Sequence, residues 1–468
     1  MELDGVNFLA FLGCVAGLQA ILPSRGRVVL LLGASLVFYA LFSLPCLILL
    51  LGLCVVNYAA ARLLGADSPA GRRTLVFAIT VLLDLAVLIG FKYLPSLAAW
   101  WPAHGGGPGP AGGVLRILVP LGLSYFTFQM VACVTDAYRG TWQPEGGFRE
   151  FALFGLFFPQ ITSGPIPRAG SLLPQLRAGG APTASDRLAG LRLIALGFFK
   201  KFVIASRLSE YVTDIFNQPP AGNCVPSLLA AAFNVMQLYA DFSGYVDIAI
   251  GSARFLGIRL DPNFDHPFSA TSVIDFWRRW HMTLSFWLRD YLFMPLVIRL
   301  RDWGKLGMAA VTIFTFAICG IWHGPTMTFL LFGLSQGIAM AIELLTKSWR
   351  TRKLRPLPAW LVDRLGNAWV LVFFTLSQIM FRSANLPQAL AVYGHLFHLR
   401  LAGGLGGLLG AQPFNFALDA LAIAAWVGVD YLYDRTTDRT TPWFVALCAA
   451  LVLLLGCVGS ANFIYAAF

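Results

Sequence analysis

Apolar runs of about twenty residues recur along almost the whole chain, and no other feature limits its fold as strongly. A run of this length crosses the roughly 30 Å hydrocarbon layer of a bilayer as a helix. Inside lipid each backbone polar group has to be satisfied within the segment, which makes the helix the spanning form for such runs. Spans read at about 6–22, 28–44, 46–64, 74–94 and 114–135, and again near 367–383, 413–433 and 442–466. The composition agrees: 57% of the 468 residues are hydrophobic and only 12% are charged, against about a quarter in an ordinary soluble domain. A water-soluble fold is excluded.

The connections carry an orientation. Arg25 and Arg27 lie between the first two spans, and Arg62, Arg72 and Arg73 flank the link between the third and fourth. The turn at Ser43–Pro45 has no charge, and the link 95–113, with its GGGPGP stretch, has only His104. Basic links therefore alternate with uncharged ones, as the positive-inside rule requires, and the N-terminus is expected outside the cytoplasm. By the same rule the basic stretch Lys347 to Arg364 is cytoplasmic, the Gly-rich link 402–410 outside and the DRTTDR segment inside. The net charge of +11 follows from this bias and requires no nucleic-acid partner. MELDGVNF has no basic residue before the first apolar run, unlike a secretory signal, so the first span is expected to be retained. The cysteines lie mostly in apolar runs, at Cys14, Cys46, Cys54, Cys319, Cys448 and Cys457, with no metal or disulfide spacing.

The expected architecture is all-α: one polytopic helical bundle of about eleven to thirteen membrane segments, some re-entrant. It divides into N-terminal spans at 1–113, a core at 114–345 and C-terminal spans at 346–468. From about 136 to 325 the chain mixes apolar residues with Pro, Gly, charge and aromatics. The run Phe151–Pro159 is too short to span, and Gly164, Pro165 and Pro167 follow it. Irregular backbone at membrane depth is tolerated only inside protein or beside a wet cavity, so a site is sought here.

Of the six histidines, His323 stands out, between two apolar stretches in FAICGIWHGP. An ionisable side chain at that depth is a functional candidate, set against a satisfied core or helix-end histidine. Gly324 and Pro325 interrupt the helix beside it, and imidazole takes a proton near neutral pH. His281 lies in DFWRRWHMTLSFWLRDY. Read as one helix, Trp277, Trp280, His281, Leu284, Trp287 and Tyr291 share a stripe, with Arg278, Met282, Ser285 and Arg289 opposite. Such a helix is either an interfacial amphipath or a substrate wall with arginines near a phosphorylated donor. His266 sits in the turn DPNFDHPF, where a structural role is expected, and His395 and His398 lack further ligands for a metal. Ala240, Gly244, Asp247 and Gly251 make a small-residue face, which normally means close helix packing. Asp241 and Asp247 there also keep an ion or proton pathway open. Phosphate-loop, dinucleotide and nucleophile-elbow signatures are absent from the sequence.

From about residue 117 to 345 the chain resembles the membrane-bound O-acyltransferase family, in the bacterial branch typified by the alginate O-acetylation membrane subunit. The likeness rests on VPLGLSYFTFQMVACVTDAYRG at 119–140, FFPQITSGPIPRAGSLLPQL at 157–176 and GFFKKFVIASRL at 197–208. It continues through the 238–268 stretch beginning LYADFSGYVDI, DFWRRWHMTLSFWLRDYLFMPL at 275–296 and GIWHG at 320–324. The resemblance implies a bundle around a tunnel, with the family's histidine at His323 and its second polar position at His281. It implies acetyl-coenzyme A as a cytoplasmic donor and no bound cofactor. The acceptor implied is a hydroxyl of an exported polysaccharide, reached through an extracytoplasmic partner protein, with the chain in the bacterial cytoplasmic membrane. His323 is then the expected base, and His281 the group that orients or stabilises the acyl carbonyl. Asp241, Ser243, Tyr245, Arg278, Trp280, Arg289 and Trp322 are the candidate substrate contacts, and the arginines would suit the donor's phosphates.

The chain departs from the family pattern at VIRLRDWGK, where a Gly-Gly-Asn-Arg-like turn is usual, and at Gln336-Gly337, where relatives commonly have a second His-Gly. Three functions stay in play: acetyl transfer, with D-alanyl transfer to teichoic acid as its nearest variant; a transporter built on Asp241 and Asp247; and a non-catalytic scaffold.

Overall fold

A computed structural model describes residues 3–65, 69–103, 119–217, 224–397 and 413–457. His104, His398, the glycine-rich stretches 104–113 and 402–410, the start of the fifth expected span (114–118) and the end of the last (458–466) lie outside the described residues. The described chain is helical, with no strand. Among the described residues six helices are long and apolar enough to cross a membrane, within Leu44–Leu63, Ala70–Pro95, Arg301–His323, Met327–Leu354, Ala359–Arg382 and Asn415–Arg435. Asn7–Ile21 and Thr441–Leu455 are shorter apolar helices. The protein is an all-α polytopic membrane protein.

The described residues divide into two compact units: Met1–Ile194 with Tyr245–Asp261, and Ala195–Gly244 with Pro262–Phe468. The first unit begins with α1 (Val6–Ile21), α2 (Ser24–Ala40), α3 (Leu44–Leu63) and α4 (Ala70–Ala103). The uncharged turn between α2 and α3 is a helix start, where the Ser43 hydroxyl accepts a hydrogen bond from the Cys46 N–H and Pro45 stands in the first turn. The helix α5 (Leu123–Arg139) begins later than the apolar pattern suggests. The reason is Gly122, at φ +71°, where a methyl group would collide with the Ile161 carbonyl. The short helix α6 (Phe148–Leu156) is buried from Phe151 onward, as are residues 157–166 after it. That irregular backbone is enclosed by protein, as its Pro and Gly content requires. Further along are α7 (Ala169–Arg177), the N-terminal part of α8 (Ala184–Phe199) and the C-terminal part of α10 (Val225–Phe255). In this unit Gly251 carries close packing, since a methyl there would lie 2.7 Å from the Gly190 carbonyl oxygen.

The second unit holds a π-helical turn at Lys200–Ala205, then α9 (Ser206–Asn217) and the N-terminal part of α10. Two short helices follow, α11 (Val273–Arg279) and α12 (Met282–Leu288), and then α13 (Met294–Arg299). The hairpin of α14 (Gly304–His323) and α15 (Met327–Leu354) is joined by Gly320, Gly333 and Gly337. A methyl at Gly320 would meet the Phe329 carbonyl, and one at Gly337 would lie 2.8 Å from Ile313 Cα. These glycines let the two backbones touch, a device common between membrane helices. The remaining helices are α16 (Ala359–Arg382), α17 (Leu386–Phe397), α18 (Pro413–Arg435) and α19 (Thr441–Leu455). None of the eight cysteines is in a disulfide, and six of them are buried.

Candidate active site

The amphipathic stretch around His281 is not one helix. It ends at Arg279, passes through Trp280 in extended geometry and His281 at φ +44°, and resumes at Met282. The loop before it holds the break: the Met282 N–H donates to the Asn263 carbonyl and the Asp265 N–H to the Arg279 carbonyl, both at 2.9 Å. Arg279 adds ion pairs with Asp275 at 3.1 Å and Asp265 at 3.6 Å. A left-handed conformation costs a residue with a Cβ about 1–2 kcal/mol, and these bonds offset it. The expected stripe of aromatics therefore comes from two short helices and the kink between them.

The kink also sets the chemistry of His281. The Thr283 backbone N–H donates to Asn263 Oδ1 at 3.1 Å, and the Thr283 hydroxyl donates to the same atom at 2.8 Å. A backbone N–H can only donate, so the Asn263 atom is its oxygen. His281 Nδ1 is 3.1 Å from that oxygen and so carries the proton, which leaves the lone pair on Nε2. Burial pushes the His281 pKa down to about 3, so the ring is neutral at physiological pH. Its Nε2 is an acceptor. A neutral imidazole in this tautomer has no proton to offer an acyl carbonyl oxygen from Nε2, so His281 can act on the reacting groups there only as an acceptor.

His323 is the last residue of α14, buried to 5% exposure, with the chain turning at Gly324. Aromatic rings surround its imidazole: Trp322 at 4.6 Å, Phe381 at 4.9 Å, Phe329 at 6.0 Å and Phe332 at 6.4 Å between centroids. The rings are supplied by α14, α15 and α16, so the hairpin packing determines where the imidazole stands.

His281 and His323 line one cavity, with Leu238, Trp277, Trp280, Leu284, Phe332, Gln378 and Phe381. The space open to the centre of a water-sized sphere is about 10 Å³, enough for roughly one water molecule. The walls are aromatic and aliphatic, and the polar groups are few. The Trp277 indole N–H donates to Gln336 Oε1 at 3.2 Å, so Gln336 is a structural partner of the wall. Gln378, 1% exposed, is different: its Oε1 has no hydrogen-bond partner among the described residues. Leaving such a group unsatisfied costs about 1–3 kcal/mol.

Trp280 thus joins the two histidines, and Trp322 packs on His323 without lining the cavity. Asp241 does not line it; its carboxylate pairs with Lys201 at 2.7 Å, both side chains at most 4% exposed. Ser243 is buried with no hydrogen bond to its Oγ among the described residues, and it too lies off the cavity wall. Tyr245 belongs to the first unit, where its hydroxyl donates to Thr162 Oγ1 at 2.9 Å. Arg278 and Arg289 are exposed, and Arg289 pairs with Asp290 at 2.7 Å. His266, also exposed and at φ +42°, precedes the turn at Pro267–Ser269, with its carbonyl accepting from the Ser269 hydroxyl.

Sequence reasoning missed Asn263, Gln378 and Glu343. The Glu343 carboxylate, 5% exposed on α15, accepts from the Val273 and Ile274 N–H groups at 2.9 and 3.1 Å, which fixes the start of α11. A polar residue inside an apolar span was the available signal for Gln378 and Glu343. Asn263 gives no such signal in a polar loop.

Comparison with known proteins bears on this geometry. A model of the membrane-bound O-acyltransferase family matches residues 145–391, a range that contains every residue of the cavity. The probable alginate O-acetylase of Pseudomonas aeruginosa is 34% identical over 459 residues, covering 94% of this chain and 83% of that protein. The peptidoglycan O-acetyltransferase of Helicobacter pylori is 30% identical over 466 residues, covering 92% and 83%. The teichoic acid D-alanyltransferase of Bacillus subtilis is 32% identical over 293 residues, covering 61% and 71%. With its spanning helices and its buried histidine pair, this chain is a multi-pass acyltransferase belonging to the membrane-bound O-acyltransferase family.

Proposed function

We propose that the protein moves an acetyl group from cytoplasmic acetyl-coenzyme A to hydroxyls of an exported cell-surface polysaccharide. It works in the bacterial cytoplasmic membrane with its N-terminus outside, and an extracytoplasmic partner completes delivery to the polymer. The observation that carries this reading is the meeting of His281 and His323 in one narrow, largely apolar cavity. Two relatives named for O-acetyl transfer, each matched over nine-tenths of this chain, support acetyl as the group moved.

In this mechanism the acceptor hydroxyl attacks the thioester carbonyl carbon and His323 takes the hydroxyl proton. Collapse of the tetrahedral intermediate breaks the C–S bond, and the proton passes to the leaving thiolate. Base catalysis of this type contributes about 10²–10⁴-fold. The apolar wall keeps water from the thioester. His281, with its lone pair on Nε2, is fitted to hold a hydroxyl or amide N–H of a substrate. Exposed Arg278 and Arg289 are the proposed contacts for the donor's phosphates, a role suited to guanidinium groups.

A transporter built on Asp241 and Asp247 draws no support from Asp241, whose carboxylate is paired with Lys201. D-Alanyl transfer remains the nearest variant, since a relative of that name matches 61% of the chain. The test uses inverted membrane vesicles given labelled acetyl-coenzyme A, following thiol release and label transfer together, with and without cell-envelope acceptor. Acceptor-dependent transfer that disappears in His323→Ala supports the reading. Equal behaviour of the two folded proteins contradicts it.

A further inference from the structure

The tautomer of His281 leaves a role unfilled in that mechanism. An attacked thioester gathers negative charge on its carbonyl oxygen, and catalysis rests on a donor already aimed at that oxygen. His281 Nδ1–H is committed to Asn263, and its Nε2 bears a lone pair. The Trp277 indole N–H is committed to Gln336. His323, as the base, has to keep a lone pair toward the hydroxyl.

We infer that the Gln378 carboxamide is a catalytic residue that donates a hydrogen bond from Nε2 to the acyl carbonyl oxygen as its charge develops. Gln378 lines the cavity beside both histidines and is 1% exposed. Its Oε1 is without a protein partner among the described residues, whereas the Gln336 Oε1 accepts from the wall residue Trp277. Rotation about the last side-chain bond exchanges the oxygen and nitrogen, so this end of the side chain can present N–H to a substrate oxygen. A buried carboxamide with one end left unbonded can turn that end to a substrate.

The electron count is that of acyl transfer. The hydroxyl oxygen bonds to the carbonyl carbon, the C=O pair moves onto the oxygen held by Gln378, and the proton goes to His323. The pair then returns, the C–S bond breaks and the thiol leaves. Gln378 exchanges no proton.

This inference rests on the acetyl-transfer reading, so the experiment separates the two. Wild type, His323→Ala, Gln378→Leu, Gln378→Glu and Gln378→Asn are reconstituted as full chains in proteoliposomes, and kcat and KM for acetyl-coenzyme A are measured. Loss of one oxyanion donor is expected to lower kcat about 10²–10³-fold in Gln378→Leu, with KM for the donor little changed. Gln378→Glu, which has no proton to donate when ionised, fails similarly, and Gln378→Asn recovers part of the rate. A second readout needs no turnover. The carbonyl stretch of the bound ketone analogue of acetyl-coenzyme A, with methylene in place of sulfur, moves to higher frequency in Gln378→Leu as the hydrogen bond is lost. Full kcat in Gln378→Leu beside an inactive His323→Ala overturns the role of Gln378 and leaves the acetyl-transfer reading standing. A change in KM alone, or an unmoved carbonyl stretch, also overturns it. Equal activity of wild type and His323→Ala, with the stretch shifted by Gln378→Leu, sinks the assignment of the base while the carbonyl contact survives.

Discussion

Two buried polar centres in the second unit are built in opposite ways. At one, Lys201 and Asp241 satisfy each other at 2.7 Å within a π-helical turn and the neighbouring α10. At the other, His281, His323 and Gln378 meet across a small cavity, and the Gln378 oxygen is left without a protein partner. Polar groups that complete one another serve the fold, and a polar group held short of completion is available to a substrate. The sequence offers His323 as the base and Asp241 as a substrate contact, and their surroundings set them further apart.

Activity gives the sharpest contrast. His323→Ala is expected to lower acyl transfer by about 10²–10⁴-fold while leaving thermal stability in detergent close to wild type. The ion pair should behave in the reverse sense. Lys201→Met leaves a carboxylate buried without its counter-charge, a loss of about 3–5 kcal/mol that denaturation would show. The double variant Lys201→Met with Asp241→Leu recovers most of that stability, because paired apolar replacements remove the stranded charge. If the double variant stayed as unstable as the single one, the pair would have a role beyond mutual neutralisation.

Effects on the histidine orientation come next. Asn263→Leu removes the acceptor that holds Nδ1–H, and a hydrogen bond worth about 1.4 kcal/mol corresponds to about tenfold in rate. Nitrogen-15 spectra of labelled histidine should show the His281 tautomer populations shift in this variant. His281→Gln should lower the rate without moving the midpoint of the acid limb of the pH–rate profile. The reason is that His281, with its pKa pushed down by burial to about 3, is already neutral where that limb falls. Smallest is Arg278→Ala: an exposed side chain leaves stability within about 0.5 kcal/mol, while KM for the donor rises if the guanidinium holds phosphate.

Much of this was legible in the sequence, for identifiable reasons. Spans follow from apolar runs, and the bounds of α3 and α18 agree with them because lipid demands continuous helix. His323 was visible because a titratable side chain stands out between apolar stretches. The break at Trp280–His281 was not visible, because two short helices with a kink present nearly the same aromatic stripe as one long helix. Its cause lies about eighteen residues upstream, in backbone and side-chain bonds from Asn263. The fate of Asp241 was hidden in the same way: its partner Lys201 is forty positions away, and helical spacing within one segment carries no information about it. Gln378 escaped notice because attention to charge passes over a neutral amide, although burial makes its hydrogen bonding nearly as consequential.

The central claim is that His281 and His323 act together on one reacting group. Single-turnover acyl transfer by the reconstituted protein, measured for His281→Ala, His323→Ala and the double variant, tests it most directly. Residues that act as a unit are strongly non-additive, so the double variant should be little slower than the worse single one. Either single variant transferring at the wild-type rate, in protein shown to be folded, would contradict the account.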